Sequence, residues 1–246
     1  MKVTLKKPMV VDLKLGGIKL KKTNMNKNDI NWGNLSEDWI NLILDEINNK
    51  IYTRVFDVEE NDIVLDIGSM IGEFTFQFLK NKPKHCYVIE PLKTNFDLLN
   101  SNLQGLPVSF YNVGIGDVNE IKQLTLFTEK PQDCQILKFS TFLKISNLTK
   151  IDFMKSDCEG CEYDIYTNEN IEILKKIPKL VGEFHLSGND FKNKFRYFRD
   201  NILNQFSTFE VFSVDGCDIK YWFYTDEFID FYTEIIIHIQ NYETNQ

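Results

Sequence analysis

The sequence predicts an α/β fold with a Rossmann-like, mainly parallel sheet, helices on both faces and a C-terminal antiparallel hairpin. Beyond residue 60, short apolar segments alternate with amphipathic ones, which is the pattern of repeated βαβ units. Glycine turns or acidic residues follow several of these apolar segments, as at strand ends that bind ligands. At the C-terminal end, residues 209–214 and 219–224 flank an Asp-Gly turn and are predicted to pair, and a further strand is predicted over 234–240.

The parallel strands are predicted from short apolar runs bounded by residues that favour turns. They cover residues 63–67, 86–90, 108–113, 151–156 and 180–184. A helix is predicted between residues 93 and 104 because Gly105 follows it, and another ends before Pro83. The helix from Asn189 to Phe206 carries aromatic residues at helical spacing, which we interpret as core.

Residues 1–55 are predicted to form an accessory part on the acceptor side of a catalytic domain that spans residues 56–246. Alternating apolar and polar residues around Gly16-Gly17 predict a hairpin over Val10–Leu20. Ser36 is a predicted N-cap because an amphipathic helix follows it. The apolar residues of that helix are Trp39, Ile40, Ile43, Leu44 and Ile47.

Composition excludes several classes of function. The 246 residues carry a net charge of -8, and no basic stripe is visible, so nucleic acid is not an expected partner. No apolar run approaches the roughly 18 residues that a membrane-spanning helix needs. The N-terminal residues do not resemble a signal peptide, and five cysteines make an odd number. We therefore expect free thiols and a cytoplasmic location.

The strongest motif follows the first predicted strand, where Asp66 ends the strand and Gly68 and Gly72 lead into a helix. An aspartate here would repel the pyrophosphate of a dinucleotide, whereas it attracts the ammonium and sulfonium groups of S-adenosylmethionine. The glycine spacing also differs from the dinucleotide fingerprint. We therefore predict S-adenosylmethionine as the cofactor, with a tight turn that binds nothing as the alternative. The predicted cofactor-binding residues of this turn are Asp66, Gly68, Ser69, Gly72, Phe74 and Thr75.

Two further strand ends extend the cofactor prediction. Glu90 ends the second strand, close to the roughly 20-residue offset at which an acid reaches ribose hydroxyls, and Pro91 follows it. Glycines after the third strand leave room for adenine, and Asn112 or Asp117 would bond its edge. For Asp117, a turn into residues 124–127 is an equal alternative. The predicted adenine-binding residues are Asn112, Val113, Gly114 and Asp117.

Acidic residues and one histidine end the fourth and fifth strands, beside the expected position of the methyl group. These predicted catalytic residues are Asp157, Glu159, Glu183 and His185. They suit removal of a proton from an acceptor hydroxyl. Alternatively, Asp157, Glu183 and His185 would bind a divalent metal that lowers the pKa of that hydroxyl. Structural alternatives also exist: Glu159 as an acid in a first helical turn, and Glu183 as an ion-pair partner of Lys155.

Two other features have less specific interpretations. Cys158 and Cys161 form a Cys-x-x-Cys pair, but no second pair accompanies it, so we interpret them as small packed residues and not as a metal site. Arg196 and Arg199 lie on the aromatic helix near the C-terminal end. Either would bind a phosphate if the acceptor carried one.

The segment from Lys155 to Glu162 resembles the Lys-x-Asp-x-Glu-Gly-x-Glu pattern of FkbM-type methyltransferases. The resemblance extends over residues 55–185, with Val181 to His185 similar to a later family strand. It implies a class I methyltransferase fold with a seven-stranded sheet and S-adenosylmethionine as methyl donor. It also implies O-methylation of a small hydroxylated acceptor: a sugar, nucleotide sugar or glycan precursor. The alternatives are N-methylation of an amine or peptide, and a catalytically silent interaction module that binds the cofactor.

Overall fold

The structure is a computed structural model that describes residues 25–125 and 130–242. The predicted hairpin over Val10–Leu20 lies outside the described residues. The helices are α1 (Glu37–Asn48), α2 (Glu73–Leu79), α3 (Lys93–Asn102), α4 (Phe139–Ser146), α5 (Glu162–Ile165), α6 (Ile171–Leu174), α7 (Gly188–Tyr197) and α8 (Asp226–Phe231). The strands are β1 (Ile63–Ile67), β2 (His85–Ile89), β3 (Val108–Tyr111), β4 (Gly114–Ile115), β5 (Glu120–Leu124), β6 (Gln132–Leu137), β7 (Phe153–Ser156), β8 (Lys179–His185), β9 (Thr208–Phe212) and β10 (Glu234–Gln240).

Seven strands form one sheet in the order β3-β2-β1-β7-β8-β10-β9, and β10 runs antiparallel to both of its neighbours. The pairs from β3 to β8 are parallel, which confirms the predicted Rossmann-like sheet. The chain leaves β1 towards β3 on one side and later returns to β7 on the other. Ligands bind at such a reversal of strand order in open α/β sheets. A separate three-stranded sheet has the order β4-β6-β5.

The C-terminal pairing differs from the predicted one. Residues 219–224 form no strand, and a single bridge, from Phe212 to Asp218, marks the start of the expected hairpin. The partner of β9 is β10, which carries five consecutive buried residues and fills the position between β8 and β9. A strand that is buried on both faces suits this interior position of the sheet. Phe223, in the segment predicted to form a strand, is instead fully buried in the hydrophobic core.

Two hydrophobic layers cover the sheet, one on each face. In β1, Val64 faces the layer that includes α1, α2 and α3, whereas Leu65 and Ile67 face the layer formed by α4 to α8. This alternation follows from the two-residue period of a strand. The aromatic helix lies in the second layer, where Phe195 and Phe198 are fully buried, as predicted. No helix among the described residues is both long and apolar enough to cross a bilayer.

Helix α1 begins as predicted. The Ser36 hydroxyl accepts a hydrogen bond from the backbone N–H of Trp39, at 3.3 Å. Ile40, Ile43 and Ile47 are buried against the sheet, while Trp39 is 46% exposed. The chain then passes through the segment of residues 49–62 to β1. The apolar residues of α1 and of this segment lie in the same hydrophobic cluster as Val64 of β1.

Candidate active site

The loops that follow β1, β2, β7 and β8 surround two neighbouring cavities at one edge of the sheet. The larger has a volume of about 420 Å³ and the smaller about 200 Å³. Gly68, Pro91, Cys158 and Glu159 line both of them. Because the carboxyl ends of parallel strands share one edge, the predicted motifs meet here.

Gly68 has a φ of +76°, and an added Cβ would overlap the backbone carbonyl of Asp157. Only glycine fits this position, since its neighbours there are backbone atoms. Gly72, with a φ of +91°, has a different function, because a Cβ there would come within 2.8 Å of the Leu99 side chain. Gly68 therefore brings the first turn against the end of β7, whereas Gly72 allows α2 and α3 to approach each other.

Asp66 is completely buried and lines neither cavity. Its carboxylate accepts a hydrogen bond from the Thr75 hydroxyl and lies 3.3 Å from the Lys155 ammonium. Burial lowers the pKa of Lys155, but the negative charges of Asp66 and Asp157 outweigh this effect and hold the pKa above its ordinary value. The Asp66–Lys155 pair thus joins the ends of β1 and β7 beneath the cavities. Asp66 would have to move to touch a bound cofactor.

Glu90 lines the larger cavity and is only 5% exposed. One carboxylate oxygen accepts a hydrogen bond from Met70 N at 3.1 Å, and the other accepts one from Leu92 N at 2.9 Å. Burial raises the pKa of Glu90 to about 8, although these two hydrogen bonds lower it. The carboxyl is thus held in one orientation at the cavity wall.

The other predicted cofactor residues fall into two groups. Phe74 lines the larger cavity, and Gly114 and Asp117 line the smaller one. Asn112 instead donates hydrogen bonds to the carbonyls of Glu90 and Pro91, at 2.9 Å each, and supports the end of β2. The predicted residues that line neither cavity are Asp66, Ser69, Gly72, Thr75, Asn112 and Val113.

The four predicted catalytic residues all line the larger cavity. Among them, Asp157, Glu183 and His185 each present a potential ligand atom, and these atoms lie within 4.8 Å of one another. Lys155 pairs with Asp157 at 3.5 Å and forms no ion pair with Glu183, which removes the structural alternative for Glu183. Burial, followed by the charge of Asp157, raises the pKa of Glu183 well above its ordinary value.

His185 lies between two acids. Its Nε2 is 3.4 Å from Glu159 and its Nδ1 is 3.5 Å from Glu162. Burial lowers the pKa of His185, but the hydrogen bond and charge of Glu162 outweigh it and raise the pKa to about 10. A pKa near 10 favours the protonated imidazole at neutral pH, which suits a counter-charge in this position.

Cys158 and Cys161 form a disulfide, contrary to the expectation of free, packed thiols. The intervening residues Glu159 and Gly160 both have positive φ, and this turn brings the two Cα atoms to 5.4 Å. Glu162 closes the same turn, because it accepts hydrogen bonds from Cys158 N and Gly160 N. The disulfide thus closes the turn that carries Glu159 to His185. Cys86, Cys134 and Cys217 remain free.

The family model of the methyltransferase FkbM domain matches residues 66–211, which is more than half of the chain. This chain belongs to the FkbM methyltransferase family. As an S-adenosylmethionine-dependent methyltransferase, it has the donor predicted from the strand-end acids. The match includes every predicted site residue. It leaves out the segment that contributes α1.

Solved structures are similar to this FkbM methyltransferase at low sequence identity. A fibrillarin–Nop5p complex matches 96% of this chain and 94% of that one, at 13% identity and a TM-score of 0.50. The O-methyltransferase from Bacillus cereus in complex with SAH matches 87% of this chain and 85% of its own, at 11% identity and a TM-score of 0.43. Fibrillarin from Aeropyrum pernix with natively bound S-adenosyl-L-methionine matches 76% and 70%, at 12% identity and a TM-score of 0.44. The comparison with curated proteins finds no match.

The larger cavity of this FkbM methyltransferase is strongly acidic. Its lining carboxylates are Glu46, Glu73, Glu90, Asp157, Glu159, Glu183 and Glu234. Among the described residues, no lysine or arginine lines it. The expected phosphate contact of Arg196 or Arg199 is therefore wrong for this cavity, since neither lines it. Arg199 instead is buried and binds Asp200 at 2.7 Å.

Sequence reasoning missed several lining residues that precede the matched domain. Tyr52, Glu46 and Leu42 face the cavity from α1 and the turn after it. The Tyr52 hydroxyl lies 3.0 Å from Asp157 and also contacts the carboxylate of Glu183. The amphipathic pattern of residues predicts helix α1. The residues next to Tyr52 in the sequence, however, contain no pattern that distinguishes it from the other tyrosines.

Proposed function

We propose that this methyltransferase transfers a methyl group to a hydroxyl of a small molecule, a sugar or glycan precursor. The convergence of Asp157, Glu183 and His185 on the larger cavity carries the proposal. Hydroxyl groups bind well to such acids, because carboxylates accept hydrogen bonds from them. The segment before residue 56, with Leu42 and Trp39 at the cavity mouth, would then be the accessory acceptor side.

The donor fits between the two cavities. Glu90 has spare lone pairs for the ribose hydroxyls, because its two backbone hydrogen bonds use only part of its accepting capacity. The smaller cavity, with Gly114 and Asp117, would then hold adenine. Asp157, which lines the larger cavity, would then lie on the acceptor side of the donor. The acidic lining favours a donor with two positive groups.

Methyl transfer is an in-line displacement, in which the acceptor oxygen forms a bond to the methyl carbon while the carbon–sulfur bond breaks. The electron pair of that bond stays on sulfur, and the hydroxyl proton must leave. Asp157 is the base in this proposal, since Lys155 at 3.5 Å stabilises its charge and His185 is already protonated. His185, which lines the cavity, would balance the negative charge that develops on the acceptor oxygen.

A divalent metal is the alternative source of hydroxyl activation. Two carboxylates and an imidazole within 4.8 Å form a donor set that suits such an ion. Asp157, Glu183 and His185 would hold it, after His185 loses its proton, and the metal would lower the pKa of the hydroxyl. A substrate-free protein that binds Mn²⁺ would favour this version.

One observation favours a second acceptor class. Seven acidic residues and no lysine or arginine line the larger cavity among the described residues, so an acceptor with an amino group would also fit. N-methylation of an amine or peptide is thus the competing function. The same charge pattern counts against nucleotide sugars, because His185 is the one cation in this described lining to offset seven carboxyl groups facing their phosphates. The Cys158–Cys161 disulfide counts against the cytoplasmic location expected from free thiols, and only the three free cysteines favour it.

The decisive experiment is release of S-adenosylhomocysteine in the presence of neutral sugars, amino sugars, nucleotide sugars, phenols and peptides. We expect turnover on sugars. Asp157→Asn should lower turnover by about 10²–10⁴-fold while donor affinity stays near that of the unmodified protein. Glu227→Gln, on the exposed first turn of α8, is a charge-matched control. Turnover only on amines or peptides would replace the proposal with N-methylation.

A further inference from the structure

Tyr52 enters the active site from outside the family domain. It lies in the turn between α1 and β1, ahead of residue 66, and is only 2% exposed. The Phe74 ring packs edge-on against it, with ring centroids 4.6 Å apart. The Lys155 ammonium lies over the Tyr52 ring, 5.0 Å from its centroid. These contacts hold the ring in one position beneath the larger cavity.

The Tyr52 hydroxyl bridges two acids on neighbouring strands. It lies 3.0 Å from Asp157 Oδ2, after β7, and makes a close contact with Glu183 Oε2 in β8. Both acids line the larger cavity, as does Tyr52 itself. Two half-buried carboxylates so close together repel each other when both are ionised. The Tyr52 hydroxyl has one proton to donate, so it donates to one acid and accepts from the other when that acid is protonated, which offsets the repulsion.

A purely structural role for Tyr52 would need the ring and not the hydroxyl. Tyr166 provides such a case in the same protein: it is equally buried, and its hydroxyl lies 3.3 Å from Ser156 Oγ, away from the larger cavity. Tyr52 differs because its hydroxyl is bound to acids that face the acceptor. Its ring therefore fixes the position of the hydroxyl, and the hydroxyl fixes the position of both carboxylates.

We propose that Tyr52 is a positioning residue that aligns Asp157 and Glu183 towards the acceptor, so that the segment before the family domain completes the catalytic site. The inference rests on the proposed role of these two acids, but not on the acceptor being a sugar. A metal held by the same acids would need the same alignment. Tyr52 itself touches neither donor nor acceptor in this proposal.

The test compares Tyr52→Phe with the matched control Tyr166→Phe, using whichever acceptor of the panel supports turnover. Tyr52→Phe should lower kcat by about 10- to 100-fold, while KM for the donor and S-adenosylhomocysteine affinity change less than about twofold. Tyr166→Phe should retain kcat within about twofold. Circular dichroism should show both variants folded, since only one oxygen atom is removed from each.

A double-mutant cycle with Glu183→Gln adds a readout that a packing role would not change. The losses in kcat should be less than additive, because both substitutions remove the same contact. A crystal structure of Tyr52→Phe tests the inference without any substrate. In that structure the Glu183 carboxylate should have rotated away from Asp157. Unchanged kcat, an equal loss in Tyr166→Phe or unmoved carboxylates would each overturn the inference. Turnover on amines alone would overturn the proposal of a sugar acceptor. The comparison of Tyr52→Phe with Tyr166→Phe could then still be made with the amine.

Discussion

Glu90→Gln removes one negative charge from the cavity wall and leaves the shape of the side chain almost unchanged. Glu90 accepts hydrogen bonds from Met70 N, Leu92 N and the Asn95 side chain, so only part of its accepting capacity remains for the ribose hydroxyls. A hydrogen bond to a charged group contributes about 1.5–3 kcal/mol. At pH 8.5, Glu90→Gln should therefore weaken S-adenosylhomocysteine binding by roughly 10- to 150-fold.

The pH dependence follows from the pKa of about 8 that burial produces at Glu90. The ionised fraction is about 3% at pH 6.5 and about three quarters at pH 8.5. Because the ionised form accepts from both hydroxyls, affinity in the unmodified protein should rise by up to about 20-fold over this range. The stability of the ligand-free protein should change in the opposite direction and fall as pH rises. The folded pKa lies above the ordinary value of 4.5, so this group destabilises the ligand-free fold increasingly as pH rises from about 4.5 to 8.

Calorimetric titration at pH 6.5, 7.5 and 8.5 measures how the affinity for S-adenosylhomocysteine depends on pH. Thermal unfolding of the ligand-free protein at the same pH values measures how its stability depends on pH. Glu90→Gln should bind weakly with little pH dependence from this group, yet unfold at a higher temperature at pH 8.5. Asp97→Asn, on the exposed face of α3, removes the same charge and should change neither property. Equal affinity of Glu90→Gln and the unmodified protein at pH 8.5 would refute the role of Glu90 in donor binding.

Three other predictions concern the reacting end of the cavity. If Asp157 acts as the base, EDTA should leave turnover within about twofold, whereas loss of activity that Mn²⁺ restores would assign the acids to a metal. Replacing Cys158 and Cys161 with alanine should change the melting temperature little, because the disulfide closes a short loop, but should lower kcat several-fold as Glu159 loses its position. Dithiothreitol should then lower the turnover of the unmodified protein but not that of the alanine variant. Gly68→Ala should lower the free energy of unfolding in urea by more than about 3 kcal/mol, since its Cβ overlaps backbone, and an unchanged midpoint would contradict this.

Much of the site could be predicted from the sequence, because local patterns encode strands and the carboxyl ends of parallel strands share one edge. Glu90 and Asp157 end two predicted strands, Glu183 and His185 end a third, and all four line one cavity. The N-cap at Ser36 also follows from local chemistry, since capping involves only the first turn of a helix.

The C-terminal pairing could not be predicted in the same way. An Asp-Gly turn between two apolar segments favours a local hairpin. β10 nevertheless pairs with β9, because burial on both faces of the sheet stabilises a fully apolar strand more than the local turn does. The Cys158–Cys161 disulfide likewise depends on the backbone turn at Glu159 and Gly160, and spacing alone does not specify that turn.

Side-chain direction and charge state depend on tertiary structure for the same reason. Asp66 ends its strand beside the cofactor turn, as predicted, yet Thr75 and Lys155 draw its carboxylate away from the cavity. Burial at Glu90 and the acids around His185 shift their pKa values in ways that no short segment contains. Tyr52 reaches Asp157 across 105 positions of sequence, and only the packing of α1 on the sheet brings them together. Sequence periodicity determines local elements and shared edges, whereas contacts between distant segments determine orientation, burial and protonation.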